Sequence, residues 1–143
     1  MPGGGTTDYA VDIYHSAVRL ESYSCFLKAE TKLPMIFMDD AVRATVELMK
    51  APIENIKIRT AYNLGAMSFD PSEITAEIKQ TYPDFQVDYC PDSRQLIAEK
   101  WPKSIDDSEA RSDWGWKPEY NLTTMTTEMI EKLKEKYNTI KLK

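Results

Sequence analysis

The sequence is poor in the residues that build metal centres and disulfide frameworks. It contains one histidine and two cysteines. Cys25 and Cys90 lie far apart and form no CxxC pair, which argues against a zinc ribbon or a disulfide framework and favours a reducing compartment. The single histidine, His15, leaves little for a His-rich metal site or a Ser-His-Asp arrangement. We therefore expect no metal ion.

Long apolar runs and concentrated positive charge are also missing. No apolar stretch approaches the roughly 20 residues that span a bilayer. The amino terminus is rich in Gly and Thr, where a signal peptide needs an apolar core. A formal net charge of -5 argues against nucleic acid or an anionic membrane as a partner, because both require a positive surface. A hydrophobic content of 42% suffices for one globular unit whose partner is a small molecule or a protein.

Apolar periodicity and capping residues predict helices at about 8–19, 39–51, 70–80, 93–100, 107–113 and 123–137. Thr6 and Thr7 are N-cap candidates for the first helix, and Asp39 or Asp40 for the second. The third has the strongest start, because residues 70–73 combine an N-cap acid, a proline at the first helical position and an acid at N3. The mixed charges on the outer face of the last helix indicate a solvated surface.

Short alternating or apolar runs predict strands at about 23–27, 35–38, 56–64 and 85–89. The third is the best strand pattern, since alternate residues from Ile56 to Leu64 share one phase and Gly65 follows. Helices and strands together indicate an α/β fold.

The opening segment Pro2-Gly3-Gly4-Gly5-Thr6-Thr7-Asp8-Tyr9 is a glycine loop that runs into a helix. Free backbone N–H groups, a helix N-terminus and two hydroxyls suit an anion such as a carboxylate. A flexible loop with an ordinary Thr cap explains the same residues. The segment has neither the glycine spacing nor the lysine of a nucleotide-triphosphate loop.

Two groups of residues in the second half have both a functional and a structural interpretation. Trp101 can wall a substrate pocket or simply pack, whereas packing is favoured for Trp114 and Trp116. Arg94 and Gln95, at the start of a predicted helix, can bind a ligand, although surface salt bridging is the simpler account.

The acidic pairs at 39–40 and 106–107 fit helix capping better than acid-base catalysis. Tyr137 and Lys141 have the Tyr-x-x-x-Lys spacing of short-chain dehydrogenases. They lie in a polar tail in which Asn138 is expected to end the helix, and we interpret this match as chance.

In this order, the segments resemble L-threonine 3-dehydrogenases of the extended short-chain dehydrogenase/reductase type. Four stretches carry the resemblance: PGGGTTDYAVDIYH at 2–15, LPMIFMDDAVRAT at 33–45, YNLGAMSFDPSEI at 62–74, and RQLIAEKWP through DDSEARSDWGWKP at 94–118. The first and last are specific to the threonine enzymes, whereas the Tyr-Asn-Leu-Gly strand end and the Gly-Trp turn are general to extended reductases and epimerases.

The resemblance implies NAD-dependent oxidation of the 3-hydroxyl of L-threonine to 2-amino-3-ketobutyrate. It implies that Thr7 and Trp101 line the threonine pocket, with Thr6 and Gly5 in the turn that receives the carboxylate. Asp8 and Tyr9 are weaker candidates for the same pocket. It also implies a homodimer, and a mitochondrial location in eukaryotes or a cytoplasmic one in bacteria.

The catalytic Tyr-x-x-x-Lys and the Gly-rich NAD motif of such enzymes are not found in this sequence. We therefore expect residues 1–143 to be a carboxyl-terminal substrate-binding portion: an incomplete Rossmann sheet plus a smaller α/β lobe. The strand at about 56–64 would belong to an otherwise missing NAD-binding Rossmann domain. A parallel strand is stable only when flanked and covered, so the chain alone should be poorly stable and inactive.

Two other functions fit the sequence less well. A nucleotide-sugar epimerase or dehydratase of the same superfamily would need basic groups for a diphosphate. The other is a non-catalytic module that dimerises or binds an amino acid without chemistry.

Overall fold

A computed structural model describes residues 5–141. Its helices are α1 (Tyr9–Val18), α2 (Met38–Lys50), α3 (Pro71–Thr81), α4 (Ser93–Ala98), α5 (Ser108–Trp114) and α6 (Leu122–Lys141), with a short 3₁₀ helix at Ile53–Asn55. Its strands are β1 (Tyr23–Cys25), β2 (Leu33–Met35), β3 (Met67–Phe69) and β4 (Val87–Tyr89). The expected α/β class is confirmed.

The strands form two small sheets. β1 pairs in parallel with β4, and β2 pairs antiparallel with β3. The main core fills the space between the β1–β4 sheet and helices α1, α3 and α6, and α1 contributes the fully buried Tyr9, Ile13 and Tyr14. Since α1 is anchored along its length, the turn that precedes it is held in a fixed position.

The start of α3 forms as the sequence predicts. Asp70 accepts hydrogen bonds from the backbone N–H groups of Ser72 and Glu73, and the Glu73 carboxylate accepts from the Asp70 N–H. This reciprocal capping box satisfies backbone donors that the first helical turn leaves unpaired.

The predicted strand at 56–64 is wrong for this structure. Residues 56–66 are irregular, and the nearby strand β3 begins only at Met67. The alternate residues of the segment are partly buried except for the exposed Thr60. Side chains hold the segment: the Tyr62 hydroxyl donates to Asp113 Oδ2 at 2.7 Å and accepts from the Ile58 N–H. No neighbouring strand supplies a backbone ladder to it among the described residues, and an apolar alternation cannot form a strand without one.

Helix boundaries also differ from expectation at two places. The run from Met35 to Met38 does not form a strand, because β2 ends at Met35 and α2 begins at Met38. The last helix passes through Asn138 and continues to Lys141. Helix ends depend on local packing as well as on sequence signals, so such shifts are common.

A second, smaller cluster lies around Trp116, which is 1% exposed and donates its indole N–H to the Gly65 carbonyl at 3.0 Å. The guanidinium of Arg43 lies 5.0 Å from the Trp116 ring centre. Trp114 packs edge-on to Tyr62. The interpretation of both tryptophans as packing residues is confirmed.

Candidate functional site

The turn before α1 is closed by Asp8. Its Oδ2 accepts the Gly5 N–H at 3.0 Å, and a Cβ on Gly5 would lie 2.5 Å from Asp8 Oδ1. A side chain at position 5 would therefore require the Asp8 carboxylate to turn away from the Gly5 N–H. Residues 1–4, including Gly3 and Gly4 of the expected anion-binding loop, lie outside the described residues.

This arrangement corrects two expectations. The N-cap of α1 is Asp8, and neither Thr6 nor Thr7 occupies that position. The Gly5 N–H, expected to be free for an anion, is already paired with a carboxylate. Negative charge is favourable at a helix N-terminus, but here the protein supplies part of it. Thr6 is buried, whereas Thr7 is half-buried.

An aromatic bridge connects this turn to α4. Tyr9, directly after Asp8, meets the Phe26 ring edge-on at 6.4 Å between centroids. The guanidinium carbon of Arg94 lies 3.2 Å from the centre of the same Phe26 ring. Arg94 also donates to both carboxylate oxygens of Asp92. The salt-bridge interpretation of Arg94 is confirmed, and its charge lies close to the turn.

Tyr23 is a member of this neighbourhood that the sequence did not single out. It is buried, and its hydroxyl has no hydrogen-bond partner among the described residues. Burial raises the pKa of the Tyr23 hydroxyl. The neighbouring Cys25 thiol and Asp8 raise this pKa further, whereas Arg94 lowers it. The alternation of strand β1 predicted an inward side chain here but gave no sign of an unpaired hydroxyl.

Gln95 connects α4 to the loop after β1. Its Oε1 accepts from the Lys28 N–H at 2.9 Å and from the Thr31 hydroxyl at 3.1 Å, and its Nε2 donates to Glu99. Gln95 is 5% exposed. It is therefore a structural anchor, which differs from the surface or ligand-binding roles weighed for it.

Trp101 follows α4 and is 43% exposed. It lines a cavity of about 300 Å³ together with Lys28, Thr31 and Lys103. The described lining of that cavity includes none of residues 5–7. The structure thus brings the turn near Arg94 and Tyr23, but it does not place Trp101 and Thr7 in one described cavity.

The expected acidic caps are only partly present. Asp106 accepts the Ser108 N–H at 3.0 Å, as a capping residue does, whereas Asp107 binds Arg111 instead. Asp39 reaches Lys132, and Asp40 is buried against the segment after Trp116.

The hydroxyl of Tyr137, whose spacing to Lys141 we interpret as a chance match, lies 2.8 Å from Nδ1 of His15. Across residues 5–141, no group of three His, Cys, Asp or Glu side chains is arranged to hold a metal ion. No helix in that range has the length and apolar character to cross a membrane. The neighbourhood of the turn offers hydrogen-bonding groups, the buried phenol of Tyr23 and the paired charges of Arg94 and Asp92.

Comparisons with known proteins give one consistent likeness. The chain is 51% identical over 131 residues to the mitochondrial L-threonine 3-dehydrogenase of Bos taurus, covering 91% of this chain and 35% of that protein. It is 48% identical over 136 residues to an uncharacterized epimerase/dehydratase of Staphylococcus haemolyticus, covering 94% of this chain and 43% of that protein. No protein-family model matches.

Among solved structures, the GalE-like L-threonine dehydrogenase of Cupriavidus necator, in its apo form, superposes with a TM-score of 0.90 at 56% identity. The match covers 93% of this chain and 48% of that one. The fold is thus that of the carboxyl-terminal part of an extended short-chain reductase. The chain spans between about a third and a half of the length of the relatives it matches.

Proposed function

We propose that this chain is the carboxyl-terminal, substrate-binding portion of an NAD-dependent L-threonine 3-dehydrogenase. The observation that carries this proposal is the likeness, at 51% and 56% identity over more than nine-tenths of the chain, to proteins that bear that activity in their names. The turn at 5–8 supports it, because it presents a hydroxyl, a helix N-terminus and a carboxylate together.

In this proposal, L-threonine binds at the turn and its charged groups meet opposite partners. The Asp8 carboxylate attracts the substrate ammonium, and the N-terminus of α1 with the Thr7 hydroxyl receives the substrate carboxylate, whose charge the intervening ammonium shields from Asp8. Thr6 and Gly5 shape the turn. Trp101 covers the substrate's apolar side once the complete pocket is assembled.

NAD, when bound, would accept the hydride from C3 of threonine. The residues described here do not fit a dinucleotide cradle: the Gly5 N–H is already paired with the Asp8 carboxylate, which would repel a pyrophosphate. We therefore assign NAD binding and the proton-accepting Tyr-x-x-x-Lys to the remainder of a longer enzyme. This chain's own contribution is to bind and orient threonine.

Two surfaces support the view that another domain completes this one. The first is an apolar stripe on α2, formed by Met38, Val42, Val46 and Met49, each 42% exposed or more. The second is the irregular segment 56–64, which has a strand's apolar pattern but lacks a strand partner among the described residues. Exposed apolar patches and backbone without a ladder partner both mark surfaces that pack against another element. We infer that the chain alone is inactive.

The same likeness leads us to propose a homodimer for the complete enzyme and a location that follows the source. A mitochondrial location is proposed if the source is a eukaryote, in keeping with the name of the bovine relative. A cytoplasmic location is proposed if it is a bacterium.

A nucleotide-sugar epimerase or dehydratase is the second candidate, favoured by the name of the Staphylococcus relative. Such an enzyme must hold a diphosphate. The carboxylate of Asp8 at the mouth of the turn, and the pairing of Arg94 with Asp92, both disfavour that ligand. A non-catalytic amino-acid-binding module is the third candidate.

Complementation tests these candidates. The chain is co-expressed with the amino-terminal half of the Cupriavidus necator enzyme, and NADH formation is followed with L-threonine. We expect turnover from the pair and none from either half. Thr7→Val should lower kcat/KM about 10- to 150-fold, the equivalent of losing a hydrogen bond to a charged group. Thr127→Val, an exposed threonine on α6, is the matched control.

The three candidates are separated when the pair is also given a UDP-sugar, with the sugar product followed directly because epimerisation forms no net NADH, and when the chain alone is titrated with threonine. Turnover of a UDP-sugar without turnover of threonine would establish the epimerase alternative. A thermal shift of the chain with threonine, but no turnover by the pair, would establish the module. Equal loss in Thr7→Val and Thr127→Val would contradict the placement of the pocket.

A further inference from the structure

The hydroxyl of Tyr23 is a hydrogen-bonding group that the described residues leave unused. Tyr23 begins strand β1, is 9% exposed, and its hydroxyl oxygen has no partner among those residues. The other two buried tyrosines of the core are paired, since Tyr9 donates to the Phe69 carbonyl and the Tyr14 hydroxyl lies 2.7 Å from that of Thr126. An unpaired buried hydroxyl is costly, and native proteins retain few of them without a function.

Tyr23 lies close to the turn proposed for threonine. Phe26, three residues further along the chain, meets the Tyr9 ring edge-on at 6.4 Å between centroids, and Tyr9 directly follows Asp8. Burial is the main cause of the raised pKa of Tyr23, and the charges of Arg94 and Asp8 also act on it. The phenol, the guanidinium and the Asp8 carboxylate therefore lie near one another.

Arg94 is held on one edge and free on another. Its guanidinium carbon lies 3.2 Å from the centre of the Phe26 ring, and its Nε and Nη2 donate to the Asp92 carboxylate. Its Nη1 has no acceptor among the described residues, and its side chain is 28% exposed. One free edge of a positioned guanidinium suits a single carboxylate oxygen better than the two charged groups of a diphosphate.

A ligand can reach this pair of donors only if a side chain moves, because solvent does not contact the Tyr23 hydroxyl in this structure. The ion pair between Arg94 and Asp92 joins side chains that are 28% and 44% exposed, and such a pair rearranges at little cost. Asp12 also acts on the phenol, but it is exposed, and solvent screens its charge. We therefore expect a ligand that binds Arg94 to gain access to Tyr23 as well.

We propose that Tyr23 and Arg94 bind the carboxylate of the amino-acid substrate, donating to one of its oxygens while the N-terminus of α1 and Thr7 receive the other. Because burial keeps the phenol protonated, both groups are donors and require an acceptor. The Arg94 charge also offsets the repulsion between the substrate carboxylate and Asp8. This inference rests on the proposed function and adds two substrate-binding residues to it.

Two ligands that differ in the carboxylate test this assignment in the pair formed by the chain and its complementing amino-terminal half. L-2-aminobutyrate has the carboxylate but no 3-hydroxyl, and 2-aminobutane has a methyl group in place of the carboxylate. Each is measured as an inhibitor of threonine oxidation. Tyr23→Phe and Arg94→Gln should each weaken inhibition by aminobutyrate about tenfold and leave inhibition by the amine unchanged. Tyr14→Phe, at a buried tyrosine that is already paired, is the matched control and should change neither.

The melting temperature of the free chain gives an independent readout. Tyr23→Phe should raise it by roughly 3 °C, because the variant no longer buries an unpaired hydroxyl. Tyr14→Phe should lower it by a similar amount, because the Thr126 hydroxyl loses its partner. A lower melting temperature in Tyr23→Phe would show that the hydroxyl is already bonded and would overturn the inference.

The inhibition constants separate failure of this inference from failure of the proposed function. If the pair oxidises threonine but Tyr23→Phe and Arg94→Gln inhibit normally with aminobutyrate, the two residues do not bind the carboxylate and the proposed function stands. Equal weakening of both ligands would lead to the same conclusion, since the effect would not depend on the carboxylate. An absence of threonine oxidation by the pair would overturn the proposed function and this inference together.

Discussion

At the scale of single residues, Asp40 shows the largest difference between the role expected from the sequence and the role seen in the structure. It has no exposed surface, and its carboxylate accepts from Arg43 at 2.7 Å and from the backbone N–H groups of Glu119 and Tyr120. Burial alone would raise the pKa of Asp40, but these donors hold it below its ordinary value. The sequence suggested that Asp40 caps α2. In the structure, its carboxylate instead binds the segment after Trp116 to α2.

Asp40→Asn should lower the free energy of unfolding at pH 7 by about 2–3 kcal/mol, because a buried charge pair and its backbone donors lose their acceptor. Urea denaturation followed by circular dichroism measures this. The neighbouring Asp39→Asn is the matched control: Asp39 and its partner Lys132 are both exposed, so little change is expected. Equal stability of the two variants would contradict the role of Asp40.

At the scale of elements, α1 and α6 are joined by polar contacts across their interface. The Tyr14 and Thr126 hydroxyls lie 2.7 Å apart in the core, and His15 Nδ1 lies 2.8 Å from the Tyr137 hydroxyl. Partial burial, with the nearby charges of Lys136 and Arg19, lowers the pKa of His15 below 6.5, although Asp12 opposes the shift. The neutral imidazole is therefore the form that the packed helices favour.

This contact predicts a pH dependence of stability. The unfolded chain takes up a proton at His15 near pH 6.5, whereas the folded chain does so only at lower pH. Stability is therefore full above pH 6.5 and falls as the pH decreases through the window below it. Urea unfolding at pH 7.5 and 5.5 should show this fall.

His15 is the single histidine of the chain, so a variant assigns the effect. His15→Gln should remove the part of the pH dependence that lies just below 6.5. Tyr137→Phe should retain a titrating histidine while losing about 1 kcal/mol from the missing hydrogen bond. An unchanged slope in His15→Gln would show that other groups are responsible.

At the scale of the whole molecule, no described part of the chain covers the apolar stripe on α2. The apolar stripe belongs to neither cluster of buried residues, and the irregular segment 56–64 follows α2 after the short 3₁₀ helix. Both fit a chain that spans less than half the length of its relatives.

Val42→Glu should leave the helical content of the chain unchanged, because Val42 is 56% exposed. It should weaken association with the complementing amino-terminal half at least about tenfold, since the apolar contact is lost and a charge would be buried. Isothermal titration calorimetry measures this. Thr127→Glu adds the same charge on the solvated face of α6 and should bind normally. Equal affinities for the two variants would exclude the stripe as the contact surface.

Local sequence signals predicted most of the elements correctly. The capping residues at 70–73 and the apolar periodicity of α1 and α6 are each satisfied within a few residues of chain, so the sequence alone defined them. For the candidate site, the sequence led us to propose the turn and its threonines. It could not show that Asp8 would occupy the Gly5 N–H, because that contact depends on the angle at which the chain enters α1.

The remaining features depend on partners distant in sequence. The alternation at 56–64 has a strand's pattern, but a strand also needs a neighbouring backbone, and in this structure Asp113 on α5 holds Tyr62 instead. Likewise, only tertiary packing buries Asp40 beneath residues 119–120 and places Arg94 over Phe26. The sequence by itself determined the local elements and the likeness to threonine dehydrogenases. The tertiary structure decided which polar groups are paired, because hydrogen bonding and burial are settled by residues that meet only after folding.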